Sequence, residues 1–196
     1  MWQIDLRGAA RKQAFIEKNT VTPILAAKMN SIRGVAGCCG PVSDEFHLFR
    51  VARPGHSDSE YIVMGPGCAK ALYQMLAVDP PKVFTPATVF KEGQDIPEIY
   101  HQLCPFNREL HDAIWLLCMS WRTVPSDLFL SILEAILKNP ASPVPISSAR
   151  SFFSALAKDR RGRDLAKVMA DLRKVYPNLR WFSFSQLEKV EQKTSG

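Results

Sequence analysis

Five cysteines, at positions 38, 39, 68, 104 and 118, and four histidines are the residues of this sequence best suited to bond chemistry. Cys38 and Cys39 lie in a glycine-flanked turn, and Cys68 follows the Gly65-Pro66-Gly67 turn that opens a helix. Tetrahedral zinc sites are often built from two such turns joined by a hairpin, because their ligands must converge on one point. The spacing points to zinc held by Cys39 and Cys68, completed by His101 and Cys104, with His47 or His56 as alternatives. The competing reading makes these thiols small buried hydrophobes. Cys118, inside an apolar stripe, is expected in the core. An odd count and a start without a long apolar stretch argue against a disulfide framework and against export. The expected location is cytoplasmic.

Around the cysteines the chain resembles the zinc-knuckle segments of phage and plasmid proteins over roughly thirty residues. There a Cys-Gly turn precedes two strands and a Gly-x-x-Cys-Ala turn opens a helix. Cys39-Gly40 and Gly65-Pro66-Gly67-Cys68-Ala69 carry the likeness, while alanine occupies position 36, where a Cys-x-x-Cys pair would begin. The resemblance implies a nucleic-acid-associated zinc module.

Other catalytic arrangements are weaker. Cysteine nucleophiles need a helix N-terminus or a cation to favour thiolate. Cys68 has that position, whereas Cys38 follows a predicted helix C-terminus. Gly65-Pro66-Gly67 lacks the Gly-Lys-Ser/Thr ending of a phosphate-binding loop. His101, Glu109, His111 and Asp112 could be drawn as a hydrolytic group, but their spacing matches no motif with a known mechanism. A small Cys/His enzyme is therefore the third reading.

Lysine and arginine number 25 against 19 aspartates and glutamates, for a net charge of +6. The densest basic run, Lys158-Asp159-Arg160-Arg161-Gly162-Arg163, sits between predicted helices, where guanidinium groups can reach phosphates. Arg173, Lys174 and Arg180 extend it, and Arg7, Arg11 and Lys12 form a second cluster. The competing reading is a solvated connection partly neutralised by Asp159 and Asp164. Trp181 or Phe182 would strengthen a nucleic-acid role if they stood exposed.

The elements that must position these residues follow from periodicity. Residues 2–6 alternate like a strand, 7–18 read as a helix, and Thr22-Pro23 resembles a helix start with Leu25, Met29 and Ile32 at helical spacing. Residues 45–53 and 61–64 make a hairpin, and a helix from Cys68 carries Leu72, Met75 and Leu76. The proline-rich stretch 79–98 is the boundary candidate. Beyond it Leu110, Ile114, Leu117, Cys118 and Trp121 form one stripe, and Phe129, Ile132, Leu133, Ile136 and Leu137 another. Ser126, Ser147 or Ser148, and Asp164 are candidate helix caps, the last before Leu165, Val168, Met169, Leu172 and Val175. Trp181 to Phe184 could form a strand before a last helix.

The fold class is α+β, predominantly helical: a small N-terminal unit with a β-hairpin (1–78), a connection (79–98) and an antiparallel helical bundle (99–196), which could pack as one domain. No apolar run is long enough for a transmembrane helix, and no membrane role is expected. The leading functional reading is a non-enzymatic nucleic-acid-associated accessory protein, of bacterial or mobile-element type, using Lys158, Arg160, Arg161, Arg163, Arg173 and Lys174. The alternative is a protein-interaction module, an adaptor or inhibitor with no nucleic-acid role, whose apolar grooves or strand edge receive a partner; the positive charge also suits an acidic protein as partner.

Overall fold

A computed structural model describes residues 2, 4–29, 32–33, 35–56, 58–86 and 98–192. The chain is a mixed α+β protein in two compact units. Unit 1 comprises Met1–Thr85 with Arg122–Val124, and unit 2 comprises Pro86–Trp121 with Pro125–Gly196. Much of the proline-rich stretch, 87–97, lies outside the described residues.

Unit 1 begins with helix α1 (Ala9–Lys18), followed by strand β1 (Thr20–Lys28). A short ribbon of β2 (Val35–Gly37) and β3 (Gly40–Val42) precedes the hairpin of β4 (Glu45–Ala52) and β5 (Ser59–Met64). Helix α2 (Pro66–Leu76) and the two-residue β6 (Val83–Phe84) complete the unit. The main sheet has the order β5-β4-β1-β6, antiparallel except for the β1–β6 pair.

The hairpin and α2 agree with the sequence reading, but the helix expected from Thr22-Pro23 is strand β1. Thr20, Val21, Thr22 and Ile24 are β-branched, which favours a pleated surface. Pro23 lacks a ladder donor, and the register with β4 shifts at Pro23/Leu25, where a bulge accommodates it. On the other side, among the described residues, β6 pairs only with Ala26 and Ala27, so no ladder bond at Pro23 is lost there. Residues 4–7 are likewise not a strand; this stretch is tied down by Leu6 N–H, which donates to the Cys38 carbonyl at 2.7 Å. The core of the unit gathers Leu6, Phe15, Val51, Ile62, Met64 and Leu72.

Unit 2 is helical: α3 (Glu98–Gln102), α4 (Pro105–Trp121), α5 (Asp127–Lys138), α6 (Ile146–Leu156), α7 (Leu165–Val175) and α8 (Ser185–Gln192). Helix α4 is its centre: Leu110, Ile114, Leu117 and Cys118 are fully buried, and α5, α6, α7 and α8 all pack against it. Ser126 caps α5 through Phe129 N–H and Asp164 caps α7 through Lys167 N–H at 2.8 Å. Neither expected serine caps α6, which starts after Pro145 without a side-chain cap. Residues 181–184 form no strand.

Asn107 holds the 139–144 connection to α4. Its Nδ2 donates to the Asn139, Pro140 and Ser142 carbonyls, and its Oδ1 accepts from Val144 N–H at 2.9 Å. Replacing this wholly buried side chain with alanine strands several backbone groups. The expected cost is about 2–3 kcal/mol, read as a lower denaturant midpoint at unchanged slope.

Candidate functional site

The basic run forms a loop between α6 and α7 whose shape is set by one carboxylate. Asp159 is buried and accepts from Trp121 Nε1 at 2.6 Å, from the Arg161 and Arg163 backbone N–H groups, and from the Arg163 guanidinium at 2.8 Å. The Arg163 guanidinium, followed by the Trp121 and backbone donors, holds the Asp159 carboxyl well below the usual carboxylate range despite burial. Arg163 also reaches Asp171 on α7 at 3.2 Å, and its side chain is 8% exposed. Arg163 thus belongs to the framework of the loop rather than to its outer surface. The side chains of Lys158, Arg160 and Arg161 are exposed, and among the described residues they make no hydrogen bond or ion pair.

Along α7, Lys167 and Lys174 lie two turns apart, and each pairs with a neighbouring carboxylate, Asp164 or Asp171, at the surface. Exposed pairs of this kind are weak and open easily to a competing anion. Arg173 lies over the ring of Trp181 at 3.8 Å from its centroid. Its Nη2 is buried and, among the described residues, without a hydrogen-bond partner, while Trp181 is 83% exposed. Segment 158–180 carries eight lysines and arginines against three aspartates, a local excess nearly as large as that of the whole chain. Val175, expected on the apolar face of α7, is 60% exposed because the helix ends there, while Leu165, Val168 and Leu172 are buried as expected.

Arg180 does not extend this surface. It is 13% exposed, forms an ion pair with Asp112 and lies over Tyr100 and Phe182. Asp112 also accepts from the Tyr100 hydroxyl at 2.6 Å, and burial together with the Asp112 charge pushes the Tyr100 phenol upward. Glu109 accepts from Gln186 and Leu187 N–H, neutralising the start of α8. His111 Nε2 accepts from Trp115 Nε1 at 3.1 Å, and His101 lies exposed on α3. The Glu109, His111 and Asp112 side chains are thus built into packing.

The zinc set fares differently. Cys39 and Cys68 are brought together, but as a disulfide, which corrects the expectation that the thiols are unpaired. Bonded to each other, these sulfurs are not thiolate ligands. Spacing could not separate the two outcomes, since a bond and a shared ion both need converging turns. His101 and Cys104 belong to unit 2, and among the described residues no group of three side chains is placed to hold a metal. Cys118 is wholly buried, and burial pushes its thiol upward. Both His47 nitrogens are engaged, Nδ1 with the Tyr73 hydroxyl at 2.9 Å and Nε2 with Glu45 at 3.2 Å. These three residues and Lys70 line a cavity of about 700 Å³ in unit 1, which sequence spacing did not reveal.

Together these features define a two-unit α+β protein with a basic, tryptophan-bearing surface on its helical unit and a disulfide in its sheet unit. No described helix is long and apolar enough to cross a membrane. Set against known protein families, curated proteins and solved structures, the chain matches none.

Proposed function

We propose that the chain is a non-enzymatic nucleic-acid-associated protein that holds single-stranded segments on unit 2. The observation that carries this reading is Trp181, 83% exposed and covered by the Arg173 guanidinium, beside a segment rich in arginine and lysine. A large aromatic so exposed gains nothing from the core. With a cation on one face it offers the other to a base, and stacking of this kind is tolerant of sequence. Lys158, Arg160 and Arg161 supply phosphate contacts, Lys167 and Lys174 add to them once their surface pairs open, and Asp159 with Arg163 sets the loop conformation.

Mobility-shift titration of a single-stranded oligonucleotide tests the assignment. Arg160→Glu with Arg161→Glu should weaken binding at least about tenfold, because two contacts become two repulsions. Trp181→Ala should cost about 1–3 kcal/mol for the lost stack. Equal affinity in both variants and the parent protein would refute this surface.

A further inference from the structure

We propose that Cys38, Cys39 and Cys68, once reduced, form a three-thiolate site for a zinc-like ion, with Lys12 as the buried counter-charge. The site is separate from the basic surface and does not depend on that reading.

The placement begins with the ribbon. Gly37 pairs with Gly40 across β2 and β3, so Cys38 and Cys39 are its two-residue tip. Neighbours in a strand point to opposite faces, but residues at a tight turn can converge. Here the Cys38 and Cys39 sulfurs are 3.5 Å apart, and the Cys39 sulfur is bonded to that of Cys68. Gly37 is required for this packing, because a Cβ there would lie 2.7 Å from Val42 and 2.9 Å from the Gly40 carbonyl. Sulfurs around a tetrahedral zinc stand about 3.8 Å apart, from Zn–S distances near 2.3 Å. The Cys38 and Cys39 sulfurs already stand near that spacing, and reduction lets Cys68 move from bonding distance of Cys39 toward it. Cys39 and Cys68 are half-buried, so a reductant can reach them.

A second, independent observation is Lys12. Its side chain is on α1 and the residue is 4% exposed, yet among the described residues it makes no ion pair. Its Nζ donates to the Leu6 carbonyl at 2.9 Å, and Leu6 N–H in turn donates to the Cys38 carbonyl. A buried ammonium without an anion is costly. Three thiolates around a divalent ion carry one net negative charge, which the Lys12 ammonium offsets.

A dithiol or phosphine reductant delivers two electrons to the Cys39–Cys68 bond and is itself oxidised, and two protons from solvent give two thiols. Binding a divalent ion then releases the three thiol protons to solvent and forms three metal–sulfur bonds. The fourth position is filled by water.

The test uses the full chain, reduced with a phosphine under anaerobic conditions and freed of reductant. Zinc is titrated against a chromogenic chelator, and cadmium is followed through its thiolate charge-transfer absorption. One tight equivalent is expected in the reduced protein and none in the oxidised one. Cys38→Ser should weaken binding at least about a hundredfold, Lys12→Met about tenfold, and Cys104→Ser not at all. Metal should also shield Cys38, Cys39 and Cys68 from alkylation, read by mass spectrometry, while Cys104 stays reactive. This second readout stands even if a variant folds poorly. A reduced, folded protein that binds no metal, or binding unchanged in Cys38→Ser, would overturn the proposal.

Discussion

Asp159→Ala should lower the stability of unit 2 by about 3–5 kcal/mol, the usual cost of removing one partner from a buried ion pair. The carboxylate is the shared acceptor of the Arg163 guanidinium, the Trp121 indole and two backbone N–H groups, so alanine leaves a nearly buried arginine facing nothing but Asp171. Chemical denaturation followed by tryptophan fluorescence measures the effect, with Trp121 as a local reporter. A loss below about 1 kcal/mol would mean that this network does not hold the loop. The same carboxyl predicts the direction of acid sensitivity. Its folded pKa lies below the unfolded value of about 3.9. Its stabilising contribution is therefore present above that value and is lost as pH falls through the folded pKa. Asp164 and Asp171 are shifted in the same direction, Asp164 chiefly by Lys167 N–H and Asp171 by Lys174. Asp159→Asn should flatten the acid limb of the stability curve.

Breaking the Cys39–Cys68 bond should destabilise unit 1 by about 3.5 kcal/mol, the loop-closure entropy for a separation of 29 residues. The bond ties the β2–β3 tip to the first turn of α2, and its loss frees both in the unfolded chain without emptying the core. Calorimetry with and without a phosphine reductant gives the difference, and Cys39→Ser with Cys68→Ser should reproduce it. An unchanged melting temperature on complete reduction would contradict this role. Zinc added to the reduced protein should recover stability in proportion to the logarithm of its concentration. Disulfides persist mainly where the surroundings are oxidising. Reduction and metal capture would therefore give this unit a different clamp in a reducing setting.

Where periodicity alone decides structure, the sequence was readable. The stripes of α4 and α5 and the short apolar, β-branched and aromatic runs of β4 and β5 each fit one template, and Ser126 and Asp164 cap where a short polar side chain can meet a free N–H. Residues 20–28 were not readable, because Thr22-Pro23 followed by apolar residues fits a helix start as well as a bulged strand. Tertiary pairing with β4 decided between them. The basic loop was visible as a charge run, but which arginine faces inward was not. Arg163 differs from Arg160 and Arg161 only in lying four residues beyond Asp159 and opposite Asp171, a matter of loop geometry. Trp181 stood open in the sequence between core and surface, and its exposure is the feature that charge and spacing could not supply.

Phosphate contact by unit 2 is read out by a salt series on a single-stranded oligonucleotide. The three free cations Lys158, Arg160 and Arg161 predict that log K falls with log salt at a slope of about −2, steepening toward about −3.5 as Lys167 and Lys174 join them. The slope should become shallower by at least about 1.4 in Arg160→Glu with Arg161→Glu. Binding with no salt dependence, or no binding even at low ionic strength, would contradict the claim.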